Sequence, residues 1–314
     1  MAETLISPGV LSRENDQSQI TSQPIQAGAA LIGPTVLGRV GIPTLVTTYS
    51  EYLATFGSTF LSGSNEYSFL TSDAAFNYFQ NAGTSLLVTR VASGSFTAAS
   101  SSAVAATTAS ITNVFDLETL GEGIVMNNST PAQAAGGVLP SGSSDNIRWE
   151  ITNPNLSRGV FSLIIRQGND STNSKSVLES FTNVSLDPKA SNYIARIVGD
   201  TTTNLLGAGT SDPYLQESGS FPNASRYVRV KSVNNPTPDY FDNAGNAKDI
   251  YTGSIPIAQS GSFGGALGDI VTANQNFNQN INNTNTQGLI GINYTDTINL
   301  LANKDDYQYN IIST

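Results

Sequence analysis

The sequence predicts a mixed α/β and β fold, and three observations support this. Between residues 21 and 95, apolar segments of strand length alternate with two segments whose apolar residues recur at helical spacing. Between residues 96 and 250, short apolar strands are separated by Asn-, Pro- and Gly-rich loops, which indicates a β-sandwich or barrel-like domain. Residues 251–314 return to helix and strand patterns, whereas residues 1–20 are predicted to form an extended arm.

The arm prediction depends on the stretch ISPGVLSREND, from Ile6 to Asp16. Pro8 and Gly9 disfavour a helix at its centre, and the stretch lacks the basic region and apolar run of a signal peptide. Its apolar side chains have no partner within the segment, so we expect them to dock elsewhere. The candidate interface residues are Leu5, Ile6, Pro8, Gly9, Val10, Leu11, Glu14 and Asp16.

The α/β unit is predicted to contain short buried strands within Ile25–Val46, two helices, and a strand over Thr84–Ala92. The first helix lies in YSEYLATFG, with Ser50 as its cap and Gly57 as its end. The second runs from Glu66 to Asn81. The aromatic and aliphatic residues expected on the buried helix faces are Tyr52, Leu53, Phe56, Phe69, Phe76 and Phe79.

The β-rich domain is predicted to follow a linker, because Ser93–Ser110 consists almost entirely of Ser, Ala, Thr and Gly. Its strands lie in NIRWEIT, GVFSLIIRQG and SRYVRVKSV, with a short helix near Ser191–Val198. A further helix over Asp296–Ala302 and an apolar strand over Tyr307–Ser313 complete the pattern. Nothing closes this last strand, so either the chain is a fragment or the partner strands come from elsewhere.

Composition argues against catalysis and against metal or cofactor binding. The chain has no Cys and no His, which excludes a Ser-His-Asp triad, a thiol nucleophile, a disulfide and a thiolate or imidazole metal site. The glycines between Gly261 and Gly268 lack the Lys of a phosphate-binding loop. The adjacent carboxylates of Asp305 and Asp306 do not converge on one substrate atom. We therefore expect no enzyme activity, no metal and no cofactor.

Charge argues against direct nucleic-acid binding. The 14 basic and 24 acidic residues give a net charge of −10, and a negative chain is repelled by nucleic acid and by anionic lipid. No run of about 18 apolar residues is present. We expect neither direct nucleic-acid contact nor membrane insertion.

Several stretches, in the same order along the chain, resemble the contractile tail sheath proteins of bacteriophages. They begin with Ser7-Pro8-Gly9-Val10 followed by Glu14-Asn15-Asp16, and continue with Glu51-Tyr52…Phe56-Gly57. An aromatic helix ending in FNYFQNAG then precedes Val88-Thr89-Arg90-Val91, and the remaining two stretches are FTNVSLDPKASNYIARIV and KDDYQYNIIST. The helix ending departs from the family, since Ala82 replaces the first of two glycines.

The resemblance implies a structural subunit that polymerises around a tail tube and contracts to drive the tube through the host envelope. It implies an α/β unit that starts a subtilisin-like core, with the rest of that core and a C-terminal arm missing from this chain. The implied partners are other sheath subunits in a helical homo-polymer, the tail tube protein, and the baseplate and tail terminator proteins. The implied location is the virion tail, with assembly in the host cytoplasm.

Two alternatives remain open at the level of sequence. A sheath of a pyocin or secretion-type contractile injection system would share the same mechanics. A β-rich receptor-binding or fibre protein would fit the Ser-, Thr- and Asn-rich composition, but would lack the arm and the α/β unit. In the sheath interpretation, the arm adds strands to the sheets of neighbouring subunits. The β domain, taken here as about Ile111–Val233, is expected on the outside of the tube, where its deletion would leave assembly largely intact.

Overall fold

The computed structural model describes residues 24–62, 65–106, 111–129, 135–269, 289 and 291–314. Within these residues, an α/β layer and a β-sandwich are visible, so the mixed α/β and β prediction is confirmed at this coarse level. No helix in this part of the chain is long and apolar enough to cross a membrane.

A four-stranded sheet forms the centre of the α/β layer, in the order β15-β1-β5-β2. Strand β1 pairs in parallel with both β15 and β5, whereas β2 pairs antiparallel with β5. All residues of β5 are buried. The strands of this sheet are β1 (Ile25–Gly33), β2 (Thr44–Val46), β5 (Leu86–Arg90) and β15 (Tyr307–Ser313).

Helices cover both faces of this sheet. On one face, α1 (Tyr49–Phe56) and α2 (Leu70–Gln80) pack against alternate residues of β1 and β5. On the other face, α5 (Gly291–Leu301) buries Leu300 and Leu301. A small hairpin of β3 (Thr59–Ser62) and β4 (Asn65–Ser68) joins the first two helices.

The first helix begins two residues earlier than predicted. Thr48, not Ser50, is its N-cap, and the Thr48 hydroxyl accepts from the Glu51 amide at 3.2 Å. The Glu51 carboxylate accepts from the Thr47 amide at 2.9 Å, so the first turn also holds the residue before the N-cap. Gly57 ends the helix as predicted, with a positive φ of 68°.

The second helix differs more from its prediction. Glu66 lies in β4, and Phe69 is the N-cap rather than a core-facing residue within the helix, although its ring is buried. The buried face carries Thr71, Ser72 and Ala75, whereas Phe76 is 43% exposed and contacts Tyr49 at its edge. The helix packs on the sheet through small side chains, which allow a close approach. The spacing of the phenylalanines therefore did not identify the buried face.

The β-sandwich consists of a three-stranded and a four-stranded sheet, in the orders β13-β7-β6 and β10-β9-β8-β14. One continuous core lies between them and includes Trp149, Phe115 and Phe161, the last two with stacked rings 5.7 Å apart. The strands are β6 (Ala98–Ala106), β7 (Ile111–Glu122), β8 (Ile147–Asn155), β9 (Val160–Gln167), β10 (Val177–Ser185), β13 (Val228–Val233) and β14 (Gln259–Ser262).

The linker predicted over Ser93–Ser110 is wrong, because Ala98–Ala106 is the edge strand β6 of the sandwich. Ala99, Ala103 and Ala105 alternate into the core and are almost fully buried. Between them, the Ser101 hydroxyl accepts from Trp149 Nε1 at 2.8 Å. Small side chains at period two therefore made a buried strand resemble a low-complexity linker.

The sandwich also continues past residue 250. Strand β14 pairs antiparallel with β8, so Gln259–Ser262 belongs to the four-stranded sheet and not to the α/β layer. Two short helices, α3 (Ile194–Val198) and α4 (Asp249–Thr252), lie along the sandwich sequence, and α3 agrees with the helix expected near Ser191–Val198.

A hairpin links the sandwich sequence to the α/β layer. It consists of β11 (Thr202–Leu206) and β12 (Tyr214–Ser218). Leu205 and Leu215 pack against the core of the sheet on the α5 side. The Gly209 amide, in the hairpin loop, donates to Asp296 of α5 at 2.8 Å.

Arg90 fixes a second junction between the two regions. The residue is 1% exposed; its guanidinium donates to the carbonyls of Gly38 and Glu122 at 2.7 and 2.9 Å and lies over the Phe96 ring at 4.8 Å. Burial lowers the pKa of Arg90 to about 10, partly offset by the charge of Glu122, so the group is cationic at neutral pH. The end of β5 is thereby tied to the end of β7.

Candidate assembly surface

The predicted arm lies outside the described residues. This applies to all eight candidate interface residues, Leu5, Ile6, Pro8, Gly9, Val10, Leu11, Glu14 and Asp16. Their role as an interface therefore stays a prediction, but the described residues do contain a surface that could receive an extended strand.

That surface is the outer edge of β15. On its inner side β15 pairs with β1 in register from Ile25↔Tyr307 to Leu31↔Ser313. On its outer side, no strand of the described chain pairs with it. The expected partner for this strand is thus present in the chain itself as β1, while the opposite edge is open.

Backbone alternation determines which groups of β15 face outward. The Asp306 carbonyl accepts from the Ile25 amide at 2.8 Å, so Asp306 is directed toward β1. In a parallel ladder, alternate residues direct both backbone groups to the same neighbour. The amides and carbonyls of Tyr309 and Ile311, together with the carbonyl of Tyr307, therefore point to the open side.

The side chains of this edge are uncharged, and two of the exposed ones are large and apolar. Ile311 is 66% exposed and Ile312 is 41% exposed, and the strand Tyr307–Ser313 contains no charged residue. Natural proteins usually protect an open edge with charges, prolines or a bulge, because an unprotected edge pairs with other strands. Strand β15 has none of these protections between Tyr307 and Ser313.

A groove lies beside the start of the strand. Its cavity volume is about 710 Å³, and its lining includes Gln26, Leu301, Lys304, Tyr307 and Tyr309. The Tyr309 hydroxyl donates to the Leu301 carbonyl at the end of α5 at 3.1 Å. Burial, together with the nearby charge of Asp306, raises the pKa of Tyr307 to about 12, so its hydroxyl stays neutral.

A compact turn positions β15 after α5. The Asn303 side chain donates to the Asp306 carboxylate at 2.8 Å, and the Asn303 side-chain oxygen accepts from the Asp305 amide at 3.1 Å. The Tyr307 amide donates to the Asn303 carbonyl at 3.0 Å. Asp305 and Asp306 thus belong to a turn.

The edges of the sandwich sheets differ from the β15 edge, because each is contacted by another segment. At β10, Glu179 accepts from the Arg226 amide at 2.9 Å, and at β14 the Phe263 carbonyl accepts from the Asn128 amide at 2.8 Å. At β6, the Ser100 amide donates to Gly264, and at β13 the Val230 amide donates to Gly199. The other edge of the α/β sheet, β2, has only three residues.

Sequence patterns identified the strand Tyr307–Ser313 but not that its outer edge is open. The sequence signal that fits an open edge is the absence of charge between Tyr307 and Ser313. The strand order of the sheet determines which edge is open. This order cannot be predicted from the sequence of β15 alone.

No family model matches this chain, and neither does any curated protein. Among solved structures, it is similar to a sheath tail protein from Listeria innocua at 11% sequence identity and a TM-score of 0.39, over 93% of this chain and 41% of that one. A sheath tail protein from Desulfitobacterium hafniense matches at 11% identity and a TM-score of 0.25, over 72% of this chain and 39% of that one. Both matches cover less than half of the other protein, and both TM-scores are too low to establish a shared fold.

Proposed function

We propose that this protein is a structural subunit of a contractile tail sheath, which assembles when an extended segment of one copy pairs with the open β15 edge of another. The observation that carries this proposal is the uncharged seven-residue edge strand Tyr307–Ser313 with exposed Ile311 and Ile312. The resemblance of the ordered sequence motifs to phage sheath proteins supplies the biological setting.

The N-terminal arm is the segment proposed to pair with this edge. Added strands gain affinity from main-chain hydrogen bonds and specificity from alternate side chains. Each aliphatic side chain buried on the acceptor contributes about 1.5–3 kcal/mol before ordering costs. Sixteen extended residues span roughly 50 Å, enough to reach a neighbouring subunit.

In this proposal the energy for contraction comes from the difference between two packings of the subunits, with the arms keeping the lattice connected. The polymer surrounds a tail tube protein and is bounded by baseplate and terminator proteins. The α/β layer is the start of a subtilisin-like core, and the subunit is a structural protein of the virion tail. The same geometry serves a pyocin or secretion-type sheath.

Removal of Met1–Gln19 from the intact subunit tests this function. We expect a folded monomer that no longer forms tubes, as measured by sedimentation and circular dichroism. Ile6→Asp should weaken assembly in the same direction, because a carboxylate would enter the acceptor sheet. The matched control is Ile250→Asp, since Ile250 is 74% exposed on α4 and lies outside the proposed surface.

Two results would contradict the proposal. Tubes of normal length from the shortened subunit would show that the arm is not needed. Loss of the monomer's own fold would show that the arm packs internally.

A further inference from the structure

The open edge of β15 presents backbone groups only at alternate residues. The amides and carbonyls of Tyr309 and Ile311 point outward, as does the carbonyl of Tyr307, because the residues between them are directed toward β1. The Tyr307 amide is already used, since it donates to the Asn303 carbonyl at 3.0 Å. A strand that pairs with this edge must therefore place its own hydrogen-bonding groups in phase with residues 309 and 311.

Pro8 argues against a parallel alignment of the arm over the whole length of this edge. The stretch Leu5–Leu11 and the strand Tyr307–Ser313 both contain seven residues. If they ran in parallel, the amide of residue 8 would have to donate to the Tyr309 carbonyl. Proline has no N–H group, so this hydrogen bond would be lost.

An antiparallel alignment of the same two stretches avoids this loss. Gly9 then lies opposite Tyr309, and both residues have the amide that a hydrogen-bonded pair needs. Pro8 lies opposite Asn310, at a position where the backbone of the arm points away from β15. A shift of the arm by one residue would bring Pro8 opposite an outward-pointing residue and remove a hydrogen bond again.

Charges beyond the strand fit the antiparallel alignment. Lys304 and Asp305, in the turn before β15, are exposed, and neither side chain has a hydrogen-bond or ion-pair partner among the described residues. In the arm, Arg13 and Glu14 come shortly after Leu11. The antiparallel alignment brings Arg13 alongside Asp305. The next residue, Glu14, comes alongside Lys304, so both pairs carry opposite charges.

Neighbouring alignments lose this match. A shift of two residues in one direction puts Glu14 alongside Asp306, which has a like charge. A shift of two residues in the other direction puts Glu14 alongside Ala302 and leaves Lys304 beside the uncharged Ser12. Among these alignments, a single register satisfies both the proline and the charges.

We propose that the arm of one copy pairs antiparallel with β15 of another in this register, with Ile6 opposite Ile312. The inference rests on the proposed function and adds the direction and the register of the pairing. Opposite residues of an antiparallel pair lie on the same face, so Ile6 covers Ile312, which is 41% exposed. Leu11 lies opposite Tyr307, which lines the groove together with Leu301.

A disulfide tests the register, because the chain has no cysteine of its own. One variant carries Ile6→Cys and Ile312→Cys, since opposite Cβ atoms in an antiparallel pair are about 4.5–5.5 Å apart, close enough for a disulfide. The matched control carries Ile6→Cys and Asn310→Cys, at a diagonal distance of roughly 7–8 Å. After oxidation of assembled tubes with copper phenanthroline, we expect a ladder of linked subunits from the first variant and single subunits from the control.

The possible failures of this experiment are distinguishable. A ladder from the control alone would overturn the register and leave the proposed function standing. Disulfides within single chains would overturn the pairing between copies, because the arm would then close on its own β15. If neither variant is linked although removal of Met1–Gln19 abolishes tubes, the arm is needed but the register is wrong. Tubes from the shortened subunit would contradict the proposed function itself.

Charge reversal provides a second test. Glu14→Lys and Lys304→Glu should each raise the concentration needed for tube formation roughly two- to fivefold, the range of an exposed ion pair, and the double variant should restore it. The matched control combines Lys304→Glu with Glu3→Lys, a reversal at the far end of the arm, and should not restore assembly. Equal recovery in both double variants would show an effect of net charge and would contradict the register.

Discussion

The sandwich and the α/β layer differ in whether the edges of their sheets are covered by other segments. In the sandwich, two sheets share one core and each outer edge is contacted by another segment, as Asn128 does at β14. In the α/β layer, helices cover both faces but the seven residues of β15 leave one edge open within the described chain. Of the two regions, the α/β layer is therefore the one whose open edge, at β15, could pair with a further strand.

The two regions are nevertheless joined by specific contacts. Arg90 ties β5 to the end of β7, and the hairpin of β11 and β12 packs Leu205 onto the α/β core. A load on β15 would therefore reach the sandwich through β1 and β5.

The largest expected effect comes from a proline in the open edge. Ile311→Pro removes an amide that points outward, so it should leave the pairing with β1 intact and abolish tube formation. The control Asn310→Pro removes an amide directed toward β1 and should weaken the fold itself. Sedimentation measures assembly and chemical unfolding measures the fold. Tubes formed by the Ile311→Pro variant would refute the acceptor role of this edge.

A smaller effect is expected on the pH dependence of stability, which should differ between two carboxylates. The first of these is Asp116 in the sandwich. Burial alone would raise its pKa, but hydrogen bonds from Ser102, Asn113, Asn234 and Ser232 outweigh this and lower the pKa to about 2, from 3.8. A lowered folded pKa gives stability that is present above pH 4 and is lost as the pH falls toward 2. Asp116→Ala should cost about 1 kcal/mol at pH 7.

Asp145, in the cleft between the sandwich and the α/β layer, should respond with the opposite sign. Burial and the charge of Glu66 raise its pKa to about 6. The folded state therefore takes up a proton more readily, and stability rises as the pH falls from about 6 to 4. Asp145→Asn should stabilise the protein by about 1 kcal/mol at pH 7 and by much less at pH 4. Urea unfolding at both pH values checks this, with the exposed Asp212→Asn as control.

The smallest effect concerns the end of α2. Ala82 has a φ of 64°, a left-handed conformation that costs a non-glycine residue about 1–2 kcal/mol. Ala82→Gly should raise the free energy of unfolding by roughly 0.5–1 kcal/mol, after the greater chain entropy of glycine is subtracted. Ala74→Gly, at an exposed position within the same helix, should lower it by about 1 kcal/mol. A destabilised Ala82→Gly variant would contradict the assigned backbone conformation.

The sequence predicted the positions of helices and strands better than it predicted which strands pair with each other. The strand Tyr307–Ser313 agrees with its prediction because its apolar residues lie between a polar turn and a clear helix. The strand Ala98–Ala106 was missed because Ala and Ser carry little β propensity, and only the opposing Trp149 makes their small size useful. The open edge is a property of the order β15-β1-β5-β2, which depends on pairings between residues almost 300 positions apart.

The central claim is that the arm of one copy pairs with β15 of another, and chemical cross-linking tests it most directly. The chain has no cysteine, so Ile6→Cys in one preparation and Ile311→Cys in a second provide unique thiols. After co-assembly of the two variants into tubes and treatment with a short bis-maleimide, we predict a product that contains one copy of each. Mixed tubes that yield no such product would contradict the account.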